Sequence, residues 1–186
     1  MKKSNLIFIL AFVVMIVLIA FAVKKPVEKG IYPLKYSEYV NKYCNEYDVD
    51  PALAFAVIKI ESDFNPDALS YADAKGLMQL TDSTFDWMQR RLKVKEKLPP
   101  EALYDPETNL KFGIYLLSYL SQRYSGDYTL VLSAYHAGVG NVGSWLKNEK
   151  YSSDGVTLKY IPTSDTRSYV KKVLKARDYY KELYNL

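Results

Sequence analysis

Cysteine and histidine are almost absent from this 186-residue chain, which contains a single Cys44 and a single His136. One cysteine cannot form an internal disulfide, and Cys44 lies too far from the N-terminal segment to be a lipidation site at the end of that segment. A structural zinc site usually takes four cysteine or histidine ligands, so the composition predicts that no metal is bound. Nothing in the sequence indicates a cofactor.

An excess of positive charge is missing from the main part of the chain. The formal net charge is +4, but residues 1–25 contain four lysines and no acidic residue. Residues 26–186 hold equal numbers of basic and acidic side chains and are formally neutral. A nucleic-acid-binding domain normally carries a clear basic excess. The charge balance therefore argues against a nucleic-acid partner.

Charged residues are absent from one long stretch near the N-terminus. An apolar run of eighteen residues extends from Leu6 to Val23. Its length is near the minimum for crossing a hydrocarbon core of about 30 Å. A cleaved signal peptide is the alternative, because Ala20–Ala22 resembles a cleavage site, but the apolar part of a signal typically spans only about 7–15 residues. The length favours an uncleaved membrane anchor, and both interpretations export the remainder.

Segments in which apolar and polar residues alternate, as in a β-strand, are also missing at the length that a sheet requires. From about Tyr36 onward, apolar residues instead recur every three to four positions, as in an α-helix. Asp50-Pro51 and Asp105-Pro106 each place a capping residue before a proline at the first helical position. Gly138 is predicted to end a further helix. We predict a mainly α-helical chain divided into an anchor or signal segment, a linker and one compact domain, at residues 1–25, 26–35 and 36–186.

A carboxylate stands at the end of the most apolar predicted helix. Glu61 follows Val57 by four residues and Ile60 by one, so its side chain emerges at the margin of the apolar face. Burial and the partial negative charge of the last helical turn both favour the protonated carboxyl and raise its pKa. A carboxyl that stays protonated near neutral pH can act as a general acid on a glycosidic bond. A solvated helix end is the alternative interpretation.

Three further motifs follow Glu61, and together the four resemble a known family in order and spacing. The family is that of the lysozyme-like lytic transglycosylases of the soluble-lytic-transglycosylase (SLT) type, and the resemblance covers roughly residues 36–180. It implies the lysozyme-like helical fold that goose-type lysozymes share. The motifs are Glu61-Ser62, Gly76-Leu77-Met78-Gln79, Ala134-Tyr135-His136-Ala137-Gly138 and Thr166-Arg167-Ser168-Tyr169-Val170.

The resemblance implies cleavage of the MurNAc–GlcNAc β-1,4 bond in the glycan strands of bacterial peptidoglycan. In this family one glutamate, here Glu61, first donates a proton to the leaving oxygen. It then removes a proton from the muramoyl 6-hydroxyl, which closes a 1,6-anhydro ring without consuming water. Taken alone, Met78 is more often a core residue, Tyr135 a buried tyrosine bonded to the backbone, and Tyr169 a tyrosine that packs a helix face. By the resemblance, the substrate-binding residues are Ser62, Met78, Gln79, Tyr135, His136 and Tyr169.

Two positions depart from the family pattern. His136 stands where asparagine is usual, and Asp165 stands where glutamate commonly precedes the Thr-Arg pair. Histidine can still donate a hydrogen bond, but it titrates near pH 6.5. Asp165 keeps the charge with a shorter reach. Neither change removes the catalytic acid Glu61. The histidine at position 136 does alter the contact expected with the substrate.

A second catalytic carboxylate is not evident from the sequence, although most glycosidases use two. Five aspartates follow Glu61, and no helical spacing directs any of them at it. This favours the one-acid chemistry over hydrolysis as in goose-type lysozymes. The aspartates in question are Asp63, Asp67, Asp73, Asp82 and Asp86.

The sequence therefore predicts a lytic transglycosylase that is anchored in the cell membrane and has an extracytoplasmic catalytic domain, or that is secreted after signal cleavage. Its predicted partners are peptidoglycan strands, the membrane through the N-terminal segment, and candidate proteins of envelope assembly. A non-catalytic peptidoglycan-binding protein of the envelope is a further alternative. Retention of Glu61 argues against it, since a pure binder has no use for a half-buried acid.

Overall fold

The computed structural model describes the backbone of residues 3–186 and the side chains of residues 12–16, 18, 19 and 22–186. Over this part of the chain, helices account for the regular structure, and two isolated β-bridges stand outside any strand. The prediction of a mainly helical chain is confirmed there. The elements are α1 (Lys3–Ile31), α2 (Ser37–Tyr47), α3 (Pro51–Ser62), α4 (Asp82–Arg91), a 3-10 helix (Pro100–Tyr104), α5 (Pro106–Arg123), α6 (Tyr128–Ala137), α7 (Val139–Leu146) and α8 (Ser164–Tyr184).

Capping side chains set the starts of the central helices. The carboxylate of Asp50 accepts a hydrogen bond from the backbone N–H of Ala52 at 3.0 Å, which begins α3. Asp105 does the same for Thr108 at 2.8 Å and begins α5. These bonds satisfy N–H groups that have no partner within a helix. Gly138, with a φ of 86°, ends α6 as the sequence predicts.

The most apolar helix, α3, lies at the centre of the domain. Every residue from Ala52 to Ile58 is buried, so the helix is covered on all sides. It packs along α8, and side chains of α2, α5 and α6 complete the same core. Cys44 of α2 lies in this core, where burial raises the pKa of its thiol to about 12. A smaller cluster of buried side chains joins α4, the 3-10 helix and α5.

An ion pair fixes the start of α3 against the second half of α8. Arg177 donates from Nε at 2.8 Å and from Nη2 at 2.7 Å to Oδ2 of Asp50. The two side chains are only 16% and 17% exposed, so the pair is largely withdrawn from water. Since Asp50 also caps α3, one carboxylate stabilises both the start of the helix and its packing against α8. The two helices run antiparallel, which brings the end of α3 to the first turns of α8.

Replacing Asp50 by alanine is expected to destabilise the domain strongly. Breaking a buried pair from one side typically costs about 3–5 kcal/mol, because the remaining charge loses its partner. Urea unfolding followed by circular dichroism measures the loss. Asp86→Ala is the matched control, since Asp86 pairs with Arg90 and Lys97 at the surface and should change the midpoint little. Equal midpoints for the two variants would contradict a structural role for the Asp50–Arg177 pair.

The N-terminal helix extends further than the sequence indicates. α1 continues through Pro26 to Ile31 and so includes the first part of the linker predicted at residues 26–35. Proline removes one helical N–H without ending the helix here. Within the described residues, no helix combines the length and the apolar character needed to cross a bilayer. The run Leu6–Val23, on which the predicted span rests, lies in part outside them.

The residues that follow α1 contact the last turns of α8. The hydroxyl of Tyr184 donates to the carbonyl of Tyr32 at 2.8 Å, and the hydroxyl of Tyr180 donates to the carbonyl of Pro33 at 3.2 Å. The ring of Tyr32 also stacks on that of Tyr179, with centroids 4.8 Å apart. These contacts attach the segment after α1 to the folded domain.

Candidate active site

The end of α3 opens onto a cleft. Asp63 and Phe64 both adopt the left-handed backbone conformation, with φ of 51° and 63°, and this ends the helix just after Glu61. The chain then returns as an irregular loop over residues 65–80, held by bridges from Lys75 to its neighbours. The cleft between helix and loop has a volume of about 720 Å³. Its lining residues are Lys59, Ile60, Glu61, Ser62, Asp63, Ala68, Leu69, Ser70, Tyr71 and Gln79.

Apolar and charged side chains occupy opposite parts of this cleft. Leu69 and Tyr71 are exposed on the loop side, and Tyr71 projects fully into solvent. Lys59 lies on the helix side and pairs with the carboxylate of Asp63. The lining thus offers an aromatic face, an ion pair and the buried acid Glu61 to a ligand that enters from solvent.

Glu61 is held in a dry environment. Burial is the main cause that raises the pKa of its carboxyl, from the ordinary value of 4.5 to about 7. The hydroxyl of Tyr169 donates to Oε1 at 2.7 Å, which stabilises the ionised form and lowers the pKa in part. The direction agrees with the sequence argument from burial. At neutral pH such a carboxyl is protonated in a large fraction of molecules and can both give and take a proton.

Ser62 is turned away from the carboxyl that precedes it. Its hydroxyl donates to the carbonyl of Leu77 at 2.8 Å and is also within 3.3 Å of the carbonyl of Ile58. The first of these bonds joins the end of α3 to the Gly76–Leu80 segment. Ser62 lines the cleft, but its hydroxyl serves to hold one wall of the site to the other.

Met78 lies in the core rather than in the cleft. Its side chain is fully buried and packs on Gly113 of α5. A Cβ at position 113 would collide with the sulfur of Met78, so only glycine allows this approach. In this structure the side chain anchors the loop to the core, and the substrate contact expected from the motif stays a prediction. The backbone of Met78 remains part of the site.

Gln79 lines the cleft, and its side chain stabilises the loop. Its amide nitrogen donates to the carbonyls of Ala68 at 3.1 Å and Gly76 at 3.0 Å. The residue has a φ of 50°, a left-handed conformation that is uncommon for a residue with a side chain. Two bonds to the same loop offset that strain. Gln79 thus has a structural task besides the sugar contact expected from the motif.

Asn109 is the buried residue that sequence reasoning missed. It is fully buried at the start of α5, and its Oδ1 accepts the backbone N–H of Met78 at 2.8 Å. Its Nδ2 donates to the carbonyls of Lys75 at 2.9 Å and Leu103 at 2.8 Å. One side chain thereby bonds three backbone groups, and the bonds to the N–H of Met78 and the carbonyl of Leu103 are buried. The sequence does contain a sign of this role, because Asn109 is an uncharged polar residue within the apolar stripe that continues at Leu110.

Tyr135 reaches the site from the last turn of α6. Its hydroxyl donates to the carbonyl of Met78 at 2.6 Å, so the ring bridges α6 and the loop. Burial, and next to it the charge of Glu61, raise the pKa of this phenol well above its ordinary value. Tyr135 is therefore close enough to Glu61 to feel its charge, while its own hydrogen bond goes to the backbone.

His136, Thr166 and Tyr169 meet where α6 ends and α8 begins. The ring of His136 lies on the ring of Tyr169, with centroids 4.6 Å apart and a tilt of 31°. Its Nδ1 is 3.1 Å from the hydroxyl oxygen of Thr166, which is buried. Partial burial lowers the pKa of the imidazole, while the charge of Asp165 acts in the opposite direction. His136 as a whole is nevertheless exposed to solvent.

The other acids near Glu61 in sequence are directed elsewhere. Among the described residues that line the cleft, Asp63 is the one other acid, and it is paired with Lys59. Asp82 accepts a bond from Lys75 at 2.6 Å, and Asp86 pairs with basic residues at the surface. No cluster of histidine, cysteine and acidic residues able to hold a metal occurs within the described residues. The arrangement there offers acid–base chemistry by Glu61.

Comparison with known proteins identifies the family. The family model of the transglycosylase SLT domain matches residues 38–156. The soluble lytic murein transglycosylase of Escherichia coli K12 is 34% identical over 151 residues, which is 81% of this chain and 23% of that protein. The membrane-bound lytic murein transglycosylase C of Actinobacillus pleuropneumoniae serotype 5b is 34% identical over 167 residues, covering 78% and 46%. The chain thus spans about a quarter to a half of these relatives.

Solved structures agree with the family match. The 70 kDa soluble lytic transglycosylase of E. coli superposes with a TM-score of 0.74 and 30% identity, over 83% of this chain and 25% of that one. An inactive glutamate-to-glutamine mutant of the Slt lytic transglycosylase from Pseudomonas aeruginosa gives a TM-score of 0.70 and 26% identity, over 82% and 25%. More than four fifths of this chain therefore adopts a known fold. The chain is a member of the transglycosylase SLT family.

Proposed function

We propose that the protein is a peptidoglycan lytic transglycosylase, which cleaves the MurNAc–GlcNAc β-1,4 bond and leaves a 1,6-anhydro-MurNAc end. One observation carries the proposal: Glu61 lies partly buried in the cleft with the hydroxyl of Tyr169 bonded to its carboxyl, and burial raises the pKa of that carboxyl to about 7. The names of the relatives agree with this chemistry. Division into an anchor (1–25), a linker (26–35) and a catalytic domain (36–186) forms part of the same proposal.

The proposed reaction uses one carboxyl twice. Protonated Glu61 donates its proton to the oxygen that leaves C1 of MurNAc, and the acetamide oxygen of the same sugar stabilises the cationic carbon. The hydroxyl of Tyr169 then stabilises the new carboxylate through the bond to Oε1. As a base, the carboxylate removes the proton of the 6-hydroxyl, whose oxygen attacks C1. The attack is intramolecular, so the nucleophile has a high effective concentration.

The remaining residues of the motifs receive supporting roles. Ser62 and Tyr135 hold the carbonyls of Leu77 and Met78, and so keep the loop at a fixed distance from the acid. Gln79 lies on the cleft wall, and a contact between its side chain and the sugar forms part of the proposal. Catalysis of this kind depends on positioning within fractions of an ångström, so these bonds matter for rate as well as for folding.

Product analysis tests the proposal against hydrolysis. The purified full chain in detergent is incubated with peptidoglycan, and the muropeptides are identified by mass spectrometry. A transglycosylase yields anhydro-muropeptides, whereas a goose-type hydrolase yields reducing ends that are heavier by one water. Hydrolytic products would require a second acid and would overturn the proposed chemistry. Binding without products would favour the non-catalytic alternative.

The rate is expected to fall as the pH rises above about 7. Glu61 must carry a proton to act as the acid, and burial places the pKa of its carboxyl at about 7. Each further unit of pH then lowers the protonated fraction about tenfold. Initial rates between pH 5 and pH 9 measure the alkaline limb, and thermal unfolding in the same buffers confirms that the protein stays folded. A limb near pH 4.5 would show that Glu61 is solvated and would contradict the buried acid.

We further propose that the segment Leu6–Val23 anchors the protein in the cell membrane, with the catalytic domain on the extracytoplasmic side. The length of the apolar run supports an anchor over a cleaved signal. Envelope-assembly proteins are candidate partners, since such assemblies need local gaps in the wall. Membrane fractionation followed by N-terminal sequencing tests the anchor. A soluble form that begins after Ala22 would instead establish secretion.

A further inference from the structure

The hydrogen bond from Tyr169 to Glu61 joins side chains 108 positions apart on two different helices. A phenol can donate to that carboxylate only if its ring holds one orientation. Tyr169 is buried on α8, and His136 of α6 covers one face of its ring at a centroid distance of 4.6 Å. The histidine is thus one side chain from a second helix that limits rotation of the phenol.

His136 is itself held by α8. Its Nδ1 lies 3.1 Å from Oγ1 of Thr166, and Thr166 stands three residues before Tyr169 on the same helical face. One α8 residue therefore bonds the edge of the imidazole while another stacks on its face.

We propose that His136 is a positioning residue, which orients Tyr169 so that its hydroxyl donates to Glu61. The hydrogen bond stabilises the carboxylate that forms when Glu61 gives up its proton, and a loosely held phenol provides less of that stabilisation. This part of the inference rests on the proposed function. The geometric part, in which His136 sets the environment of Glu61 through Tyr169, stands without it.

Several charged or titratable groups surround the two residues. Tyr169 and Tyr135 face Glu61 from α8 and α6, and Lys59 and Asp63 share the cleft from the α3 side. Asp165 acts on His136. The proposal concerns the stacked ring, not the charge of the histidine, so a neutral aromatic side chain should replace it.

The direct test is a titration of Glu61 in the full chain. Carbon-13 NMR of labelled glutamate carboxyls gives the pKa of each carboxyl, and Glu61→Gln identifies the resonance of interest. His136→Ala should raise the pKa of Glu61 by about half a unit or more, because the bond that favours the ionised form is weakened. His136→Phe should keep the pKa near that of the unaltered protein. Thr166→Val, which removes the hydroxyl partner, should give a smaller rise.

Kinetics distinguish positioning from a direct sugar contact. His136→Ala should lower kcat about tenfold with KM nearly unchanged, and should move the alkaline limb of the pH profile upward. Asn141→Ala on the exposed side of α7 is the control and should leave both constants unaltered. An unchanged pKa of Glu61 in His136→Ala, or a loss confined to KM, would overturn the proposal. If the unaltered protein forms no anhydro product, the proposed function fails while the titration still decides the role of His136.

Discussion

Glu61→Gln is expected to lower the formation of anhydro-muropeptides by about a thousandfold, within the range that general acid–base catalysis supplies. Glutamine has nearly the same shape, but its amide neither donates an acidic proton nor takes one back. Asp63, the other acid described in the cleft, is paired with Lys59 and so does not substitute. Mass spectrometry of digests gives the rate, and Glu182→Gln on exposed α8 surface provides the matched control. Full turnover by the Glu61 variant would refute the assignment of the acid.

Stability measurements show whether that variant remains folded. The carboxyl of Glu61 has an ordinary pKa of 4.5 when exposed and about 7 when buried, so folding takes up a proton between these values. Stability of the unaltered protein therefore falls as the pH rises through this window. Glutamine avoids the loss, and the variant should be more stable at pH 8 by up to about 3 kcal/mol, with no such gain at pH 4. If the variant is instead less stable than the unaltered protein at pH 8, burial does not penalise the ionised carboxylate of Glu61.

Asn109→Ala is expected to destabilise the domain by about 3 kcal/mol or more, since each buried backbone group left unpaired costs about 1–3 kcal/mol. The N–H of Met78 and the carbonyl of Leu103 lose their partner, whereas the carbonyl of Lys75 keeps the bond that it accepts from the N–H of Leu80. Urea unfolding measures the change. Asn141→Ala is the matched control, because the side chain of Asn141 on α7 donates one hydrogen bond at the surface, to the carbonyl of Ala137 at the end of α6.

Activity should fall with Asn109→Ala even under conditions where the variant is folded. The segment that Asn109 holds carries the carbonyls that accept from Tyr135 and Ser62. When this segment loosens, the wall of the cleft moves relative to Glu61. Rates measured well below the unfolding temperature separate this effect from loss of folded protein. Equal stability and rate in the Asn109 and Asn141 variants would contradict the bracing role.

The sequence predicts the features of this fold that depend on local chemistry. Asp50 and Asp105 cap their helices because a carboxylate before proline is a local signal. The burial of α3 follows from its composition. The continuation of α1 through Pro26 is not predicted from the sequence, because a proline usually marks the end of a helix. Here the surrounding helical residues outweigh that local signal.

The motifs indicate which residues belong to the candidate site. They do not indicate which of these side chains contact one another. The resemblance placed Tyr135, His136 and Tyr169 in one region, and the structure brings them together. It could not reveal that Tyr169 donates to Glu61, since that bond depends on how α3 crosses α8. The burial of Met78 likewise depends on Gly113, a residue of another helix. Tertiary packing, which no local pattern encodes, decides these details.

Because the thiol of Cys44 is buried, the folded protein should be almost unreactive toward maleimide reagents. Reaction requires both access and a thiolate, and burial denies Cys44 both. A new cysteine at the rim, Tyr71→Cys, would therefore take up a fluorescent dye selectively, without prior removal of the native cysteine. A dye at that position reports directly on whether a glycan strand occupies the cleft.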